Sequence, residues 1–391
     1  MSLLKNIPYG KQDISKSDIE SVIEVLNSDY LTQGPVVPNF EKKLTQYLNS
    51  NFCTLVNSAT SALHISCLAL GVGENDLVWT SPNTFVASAN CAILCGAKID
   101  FVDINELTFN ISIQALEEKL VKAKKEGSLP KVIIPVHFAG QSCDMKRIFE
   151  LSQEFGFKII EDASHALGGE YLGKKIGCCE YSHITVFSFH PIKMITSGEG
   201  GAAITNDSQI DKKLKQYRSH GITSEKNKFK PVPKNELWNY QQIHLGLNYR
   251  MTDIHAALGL SQLRRIDEFV NKRNEIAHFY NSTFEDTKIK TPNVQNFNKS
   301  SFHLYVIQWD ISKVNISNKL IFHELRRKGI MVNFHYIPVY LQPYFNNRGF
   351  KRGYCPNSEN YFLRSLSIPI YTSITNDELK TVSREVKSLI C

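Results

Sequence analysis

The sequence predicts an α/β fold: a large domain with a mostly parallel central sheet flanked by helices, then a smaller C-terminal α+β domain. Three observations predict it. Short apolar runs of strand character alternate with segments of helical period from Phe52 to Thr205, the pattern of a sheet covered on both faces. The first such strand passes through a turn of small residues, Asn57-Ser-Ala-Thr-Ser61, straight into a helix. A long helical pattern from Thr252 through the 270s then leads to a strand–helix–strand set. The division expected is 1–255 for the large domain, with an N-terminal helical arm, and 256–391 for the linking helix and small domain.

Taken in order, Ser17 opens a helix with Glu20 as its capping-box partner, and Ile19, Val22, Ile23 and Leu26 form its apolar face. It stops in the polar turn 28–35. A second helix carries Phe40, Leu44, Tyr47 and Leu48 on one side. Strand Phe52–Val56 leads to a helix over Ala62–Leu70, ended by Gly71. Strand Leu77–Thr80 leads to a helix over Thr84–Leu94, with Phe85 in its first turn. Strands are expected at Lys98–Val102, Lys131–Phe138 and Lys158–Ile160, separated by helices over Ser112–Lys125 and Asp144–Phe155. A helix over Ser208–Ser219 precedes a polar excursion at 221–242, which holds Pro231 and Pro233. The small domain has a strand at His303–Trp309, a helix at Asn315–Lys328, a strand at Ile330–His335 and a last helix capped by Thr375 and Glu378.

Composition narrows the function classes. The chain of 391 residues is 42% hydrophobic and 21% charged, an ordinary globular balance. Its net charge of +7 is scattered. The densest basic clusters, Lys122–Lys125 and Arg326–Lys328, fall late in predicted helices, where cations suit the helix dipole. No nucleic-acid footprint is evident, and no apolar run is long enough to span a bilayer. The start, Met1 to Ile7, is too short and polar for a signal peptide. Nine cysteines without a C-x-x-C pair fit a reduced, cytoplasmic protein. Cys178-Cys179 with His183 lacks paired ligands at zinc spacing, so no metal is expected.

The chemistry gathers around Ser188-Phe-His-Pro-Ile-Lys193-Met-Ile-Thr-Ser-Gly-Glu-Gly-Gly201, which joins strand Ile184–Phe187 to strand Ala202–Thr205. A lysine in such a loop is either a surface turn residue or an amine kept for a carbonyl. The motif Gly198-x-Gly200-x-x-Ala203 fits a loose dinucleotide fingerprint but leads into a strand, where the fingerprint must open a helix. Asp162 ends a strand at the edge where α/β sheets keep their functional groups; alternatively it caps a helix. His165 is equally readable as a satisfied core histidine. Pyridoxal phosphate (PLP) needs these parts together: a lysine for the Schiff base and an acid opposite the pyridine nitrogen. It also needs a phosphate cradle and a flat group over the ring. Ser188, the Thr60/Ser61 turn at a helix start and Phe85 are the candidates.

Six ordered stretches then point further: Asn57–Leu63, Thr84–Ala87, Glu161–Ala166, Ser188–Lys193, Gly198–Gly201 and Asn248-Tyr-Arg250. Together they resemble the DegT/DnrJ/EryC1/StrS family of sugar-nucleotide aminotransferases along nearly the whole chain. The resemblance implies fold type I PLP-dependent architecture, and a homodimer with active sites shared between subunits. It implies that Lys193 binds the cofactor covalently and moves the proton, that Asp162 pairs with the pyridine nitrogen and that Phe85 stacks on the ring. His165 would lie near the phenolic oxygen. Ala59, Thr60, Ser61 and Ser188 would surround the cofactor or its phosphate, and Asn248 would reach the phosphate of the neighbouring subunit. Arg250 would bind an anionic substrate group. Dehydratases of the family carry His in place of the lysine, and Lys193 argues against that branch.

Within the family, Ile7-Pro-Tyr9-Gly-Lys-Gln12, Leu31-Thr-Gln-Gly-Pro35 and His335-Tyr-Ile-Pro338 resemble the branch serving pseudaminic acid biosynthesis. That implies a UDP-linked 4-keto sugar and L-glutamate as substrates. It also implies a sugar-nucleotide site lined by Tyr9, Asp29, Tyr30, Leu31, Thr32, His335, Tyr336, Ile337 and Pro338. Three readings compete with it. One is another 4-amino or 3-amino sugar; one is a non-catalytic PLP-binding regulator; the third is a nicotinamide-dependent oxidoreductase. The intact Lys193–Asp162 set and the absence of a helix-turn-helix segment speak against the regulator.

Overall fold

In the computed structural model, residues 6–224, 238–310, 314 and 316–391 are described. The strands, in chain order, are β1 (Phe52–Val56), β2 (Leu77–Thr80), β3 (Lys98–Phe101), β4 (Val132–Ile134), β5 (Lys158–Asp162), β6 (Glu170–Tyr171) and β7 (Lys174–Lys175). Then come β8 (Ile184–Ser188), β9 (Gly201–Thr205), β10 (Ile222–Thr223), β11 (Gln241–Gln242), β12 (Ile289–Lys290), β13 (Asn298–Lys299), β14 (Tyr305–Trp309) and β15 (Ser365–Ile368). Seven of them form the central sheet in the order β1-β9-β8-β5-β4-β2-β3. Every pairing is parallel except those of β9, which runs antiparallel to both β1 and β8. A second sheet, β12-β14-β15, is antiparallel and serves the C-terminal part.

Both faces of the central sheet are buried, so its strands are mostly apolar, with charged residues at strand ends such as Lys98, Lys158 and Asp162. Successive residues alternate between two cores. Leu55, Ile133, Ile159, Phe187 and Ile204 point to one side. Val56, Val132, Ile160, Val186 and Ala203 point to the other. Helix Val36–Leu48 buries Phe40, Leu44 and Leu48 against the first core, as its spacing predicts, and ends at Asn49 in the left-handed region. The Phe40 ring lies 5.4 Å from that of Phe189. A methyl group at Gly259 would come within 2.5 Å of Phe40 Cε1, so the helix Asp253–Leu263 can approach only because that position is bare.

Several boundaries differ from the sequence expectation. The first helix, Lys16–Leu26, uses Ser15 and Asp18 as its capping box, not Ser17 and Glu20. Asp18 is drawn to that role by tertiary partners: its buried carboxylate also accepts from Gln262 Nε2 (2.6 Å) and an Arg265 guanidinium nitrogen (2.7 Å). The face expected to be buried is turned outward, with Ile19, Ile23 and Leu26 each about half exposed (53%, 48% and 55%). The helix expected from Thr84 starts only at Ala87, so Phe85 precedes it. β4 stops at Ile134 because Pro135 has no N–H to continue the ladder.

The segment expected as a strand at 330–335 is extended but joins no sheet; it makes isolated bridges, Ile7 with Ile330 and Asn333 with Ser367. The pattern from Thr252 breaks at Arg264–Arg265 into two helices, Asp253–Leu263 and Ile266–Phe284. The 255/256 division therefore lies within the first of these, whose Ala256 and Leu263 pack into the large-sheet core. The helix expected from Asn315 begins at Asn318 with Ser317 as its cap. In the polar excursion β10 pairs with β11, while 225–237, with Pro231 and Pro233, fall outside the described residues.

Phe40→Ala removes a fully buried ring from the contact between two helices and the sheet. It should cost about 3–5 kcal/mol, read as a lower urea midpoint with an unchanged slope.

Candidate active site

Two neighbouring parallel strands set the site. β5 and β8 pair with Asp162 opposite Val186, so both bring their carboxyl ends to one edge. Asp162 is the last residue of β5 and Ser188 the last of β8. The chain then reverses, and Ser188 pairs with Gly201 at the start of β9. Residues 189–200 form a loop closed at its base by Phe189 N–H to Gly200 O (2.9 Å) and Ser197 N–H to Phe189 O (3.0 Å). Phe189, Met194 and Ile195 anchor it in the core. Lys193 faces a cleft of about 630 Å³ that Asp162 also lines. Burial pulls the Lys193 amine down to about 8, against the attraction of Asp162, which acts to raise it. A substantial neutral fraction is thus present near pH 8.

Hydrogen bonds orient the other groups. Asp162 Oδ2 accepts from Ser88 Oγ (2.6 Å), and Oδ1 accepts from the N–H (3.1 Å) and hydroxyl (2.6 Å) of Ser164. Burial, and secondarily Lys193, pushes His165 far below its ordinary value, so its ring is neutral. Its Nδ1 accepts from Ala139 N–H (3.3 Å), which leaves the hydrogen on Nε2, 3.2 Å from Tyr336 Oη. Burial likewise takes His335 down to about 3; its Nδ1 lies 2.8 Å from Ser367 Oγ. Phe85 stands at the lip with 60% of its surface free.

On the opposite wall, helix Ala59–Ala69 points its N-terminus into the cleft, with Ser58 Oγ capping Ser61 N–H (3.1 Å). β9 runs directly beneath it. A Cβ on Gly201 would lie 2.5 Å from Ala59 N and 2.6 Å from Ser58 C. The bare backbone of Gly201 therefore lets the strand support this turn, whose Ser58, Ala59 and Thr60 line the cleft at a helix start, a position that suits an anion. A carbonyl-reactive amine, an oriented carboxylate, an exposed aromatic face and an anion-binding helix start fit pyridoxal phosphate.

Residues 12–387 match the DegT/DnrJ/EryC1/StrS aminotransferase family. The chain belongs to this family. Among its relatives is the UDP-4-amino-4,6-dideoxy-N-acetyl-β-L-altrosamine transaminase of Campylobacter jejuni (strain 81-176), 37% identical over 98% of this chain and 97% of that protein. Helicobacter pylori PseC, an aminotransferase involved in pseudoaminic acid biosynthesis, superposes with a TM-score of 0.88 at 31% identity, covering 99% of both chains. Spr1654 of Streptococcus pneumoniae, solved in PLP and PMP forms, is 29% identical with TM-scores of 0.86 and 0.87, over 98% of this chain and 98% and 97% of that one. As a member of this aminotransferase family, the protein is a PLP-dependent sugar aminotransferase.

Eleven of the residues singled out in the sequence line the one cleft: Tyr9, Ala59, Thr60, Phe85, Asp162, His165, Ser188, Lys193, His335, Tyr336 and Ile337. Ser61 does not; its hydroxyl turns away to Asn57 Oδ1 (2.6 Å) and orders the helix start. Asp29, Tyr30, Leu31 and Thr32 form an exposed turn, tied back by Asp253 N–H to Leu31 O (3.0 Å) and by the bridge of Thr32 to Thr252. Asn248 bridges to Ser219 and Arg250 to Val56, away from the cleft lining. Pro338 caps a short 3-10 turn, Val339–Leu341. Sequence reasoning missed Ser88, Ser164 and His303. Ser164 had a readable signal, since an Asp-x-Ser turn hydrogen-bonds to itself. The other two had none.

Gly201→Ala should leave the far-UV circular dichroism unchanged and weaken PLP binding by about tenfold or more, because a displaced helix start loses an anion contact worth ~1.5 kcal/mol or more. Absorbance titration of the apo chain with PLP measures this.

Proposed function

We propose that this chain transfers the amino group of L-glutamate to the C4 keto group of a UDP-linked 4-keto-6-deoxy-N-acetylhexosamine. The product is a UDP-4-amino sugar of pseudaminic acid biosynthesis, made in the cytoplasm. The observation that carries the reaction class is a buried amine brought down to about 8, Lys193, in the same cleft as an oriented carboxylate, Asp162. The sugar assignment is supported by the relatives above and by the placement of Tyr9 and His335 to Ile337 on the cleft wall. The nine free cysteines fit a reducing compartment.

In this reading Lys193 holds the cofactor, Asp162 faces its pyridine nitrogen and Phe85 covers its ring. Ser188, Ala59 and Thr60 hold the phosphate, with Ser61 ordering their helix, and His165 donates from Nε2 toward the phenolic oxygen. Pyridoxal phosphate, when bound, supplies an electron sink. The chain supplies the proton traffic: Lys193 Nζ takes the α-proton of glutamate and later delivers a proton to C4 of the sugar. Tyr9, His335, Tyr336, Ile337 and Pro338 enclose the sugar nucleotide.

The remaining residues belong, in this reading, to a homodimer. The outward stripe Ile19, Ile23 and Leu26, continued by exposed Tyr30 and Leu31, is apolar surface that a second copy would cover. Asp29 to Thr32 and Arg250 then complete the partner's substrate site, and Asn248 its phosphate site.

Lys193→Ala should lose transamination by more than about 10⁴-fold, since covalent and proton-transfer roles vanish together. A folded variant turning over at the wild-type rate would end the mechanism. Assays on 4-keto and 3-keto UDP-sugars with glutamate should give amine only at C4; amination of the 3-keto sugars alone would reassign the substrate. Ile23→Glu should convert the dimer to monomers in analytical ultracentrifugation and abolish activity, while the chain stays folded.

A further inference from the structure

His303 lies in the cleft, four residues beyond the small ladder strand β13 and far from every motif the sequence analysis used. Its Nε2 is 3.5 Å from Lys193 Nζ, and among the described residues this is the hydrogen bond that the amine makes. The ring is buried, 4% exposed, and packs on the His165 ring with centroids 4.5 Å apart. Its backbone is fixed by Arg273, whose buried guanidinium donates to the carbonyls of Phe302 (3.2 Å), His303 (3.2 Å) and Ile370 (3.1 Å).

Four histidines line the cleft around Lys193; His190 is exposed, and the three buried ones differ in what they can offer the amine. The Nδ1 of His165 is engaged by a backbone N–H, so its Nε2 carries a hydrogen and cannot accept one. The Nδ1 of His335 is engaged by Ser367. Among the described residues the Nδ1 of His303 has no partner, so Lys193 alone of them contacts the polar atoms of that ring. Each proton taken by Lys193 creates an ammonium, which has only donors to give. An acceptor must stand beside it, and Nε2 of His303 stands 3.5 Å away and accepts when the ring hydrogen is on Nδ1.

We propose that His303 is a catalytic residue of the amino transfer: its Nε2 accepts a hydrogen bond from Lys193 Nζ. It thereby steadies the ammonium form and aims the amine into the cleft. No covalent bond changes in this contact; the imidazole stays neutral throughout. Burial keeps it so, and the groups facing it act in the same direction: Lys193 first, then His165, Arg273 and His335 all oppose a positive charge on the ring. The inference rests on Lys193 as the reactive amine and is independent of which sugar is aminated.

The test uses His303→Phe, which keeps a ring of similar volume without nitrogen, and His303→Gln, which keeps an acceptor. Competitive acetylation of Lys193 in the full-length apo chain, read by mass spectrometry from pH 6 to 11, gives the midpoint of the amine. The wild-type midpoint should lie near 8. It should fall by about one unit in His303→Phe, because the ammonium loses its acceptor, and by a few tenths in His303→Gln. The glutamate half-reaction of the holoenzyme, followed by absorbance without any sugar, should slow about 100-fold with Phe and less than tenfold with Gln. An unchanged midpoint in a folded His303→Phe chain overturns the proposal, as does Gln slowing the half-reaction as far as Phe. Should the Phe chain not fold, His303→Leu carries the same comparison. A wild-type midpoint at the ordinary lysine value would overturn the reading of Lys193, and this inference with it.

Discussion

The site depends on one chain reversal, from Ser188 to Gly201. Parallel strands normally return through a helix to the far edge of the sheet before starting again. β9 instead begins at the carboxyl edge, where β8 ends, and runs back antiparallel between β8 and β1. That single departure from parallel pairing does two things. It leaves a loop carrying Lys193 above the end of β5, where Asp162 sits. It also passes Gly201 under the start of helix Ala59–Ala69, so that amine, carboxylate and anion-binding turn meet at one edge. The register of Ser188 with Gly201 sets the size of the loop, and the missing Cβ of Gly201 sets how close the third element can come. The part Gly201 plays is steric: it admits the start of helix Ala59–Ala69 to the edge of the cleft.

The electrostatics follow from burial more than from charge pairing. Lys193 is brought to about 8 by desolvation, with Asp162 working in the opposite direction. The same desolvation keeps His165, His303 and His335 neutral. A cleft with one amine lowered by burial, the carboxylates of Asp162 and Glu199, and neutral buried imidazoles holds little fixed positive charge of its own. Anions entering it are met by backbone N–H groups, hydroxyls and the positive end of a helix. The scattered +7 of the whole chain has no counterpart in this arrangement.

What could be read in the sequence was local or periodic. The alternation of strands and helices, the two-faced burial of the sheet and the turn of small residues at 57–61 all follow from patterns a few residues long. So does Asp162 at a strand end. What could not be read depended on distant partners. Ser15-x-x-Asp18 and Ser17-x-x-Glu20 are equally plausible caps locally, and only Gln262 and Arg265 decide between them. The 330–335 segment has strand-like residues but pairs by single backbone bridges, Ile330 with Ile7 and Asn333 with Ser367. Ser88 and His303 reach Asp162 and Lys193 across 74 and 110 residues of chain, and no spacing rule bridges such gaps.

The first helix shows the limit of periodicity from another side. Its apolar spacing was legible, yet a hydrophobic stripe states only that something covers it, not that its own chain does. Here the chain covers the other side, where Asp18 and Val25 are buried. The stripe runs on into the turn holding Tyr30 and Leu31, and that turn is knitted to the strand of residues around Arg250 through Thr32, Thr252 and the bridge of Arg250 to Val56. Val56 in turn ends the strand that leads into the helix start lining the cleft. The segments placed outside the cleft are therefore mechanically continuous with it and with the outward stripe. In the proposed dimer, covering the stripe and completing the neighbour's cleft become one event, because both surfaces are carried by the same tied segment.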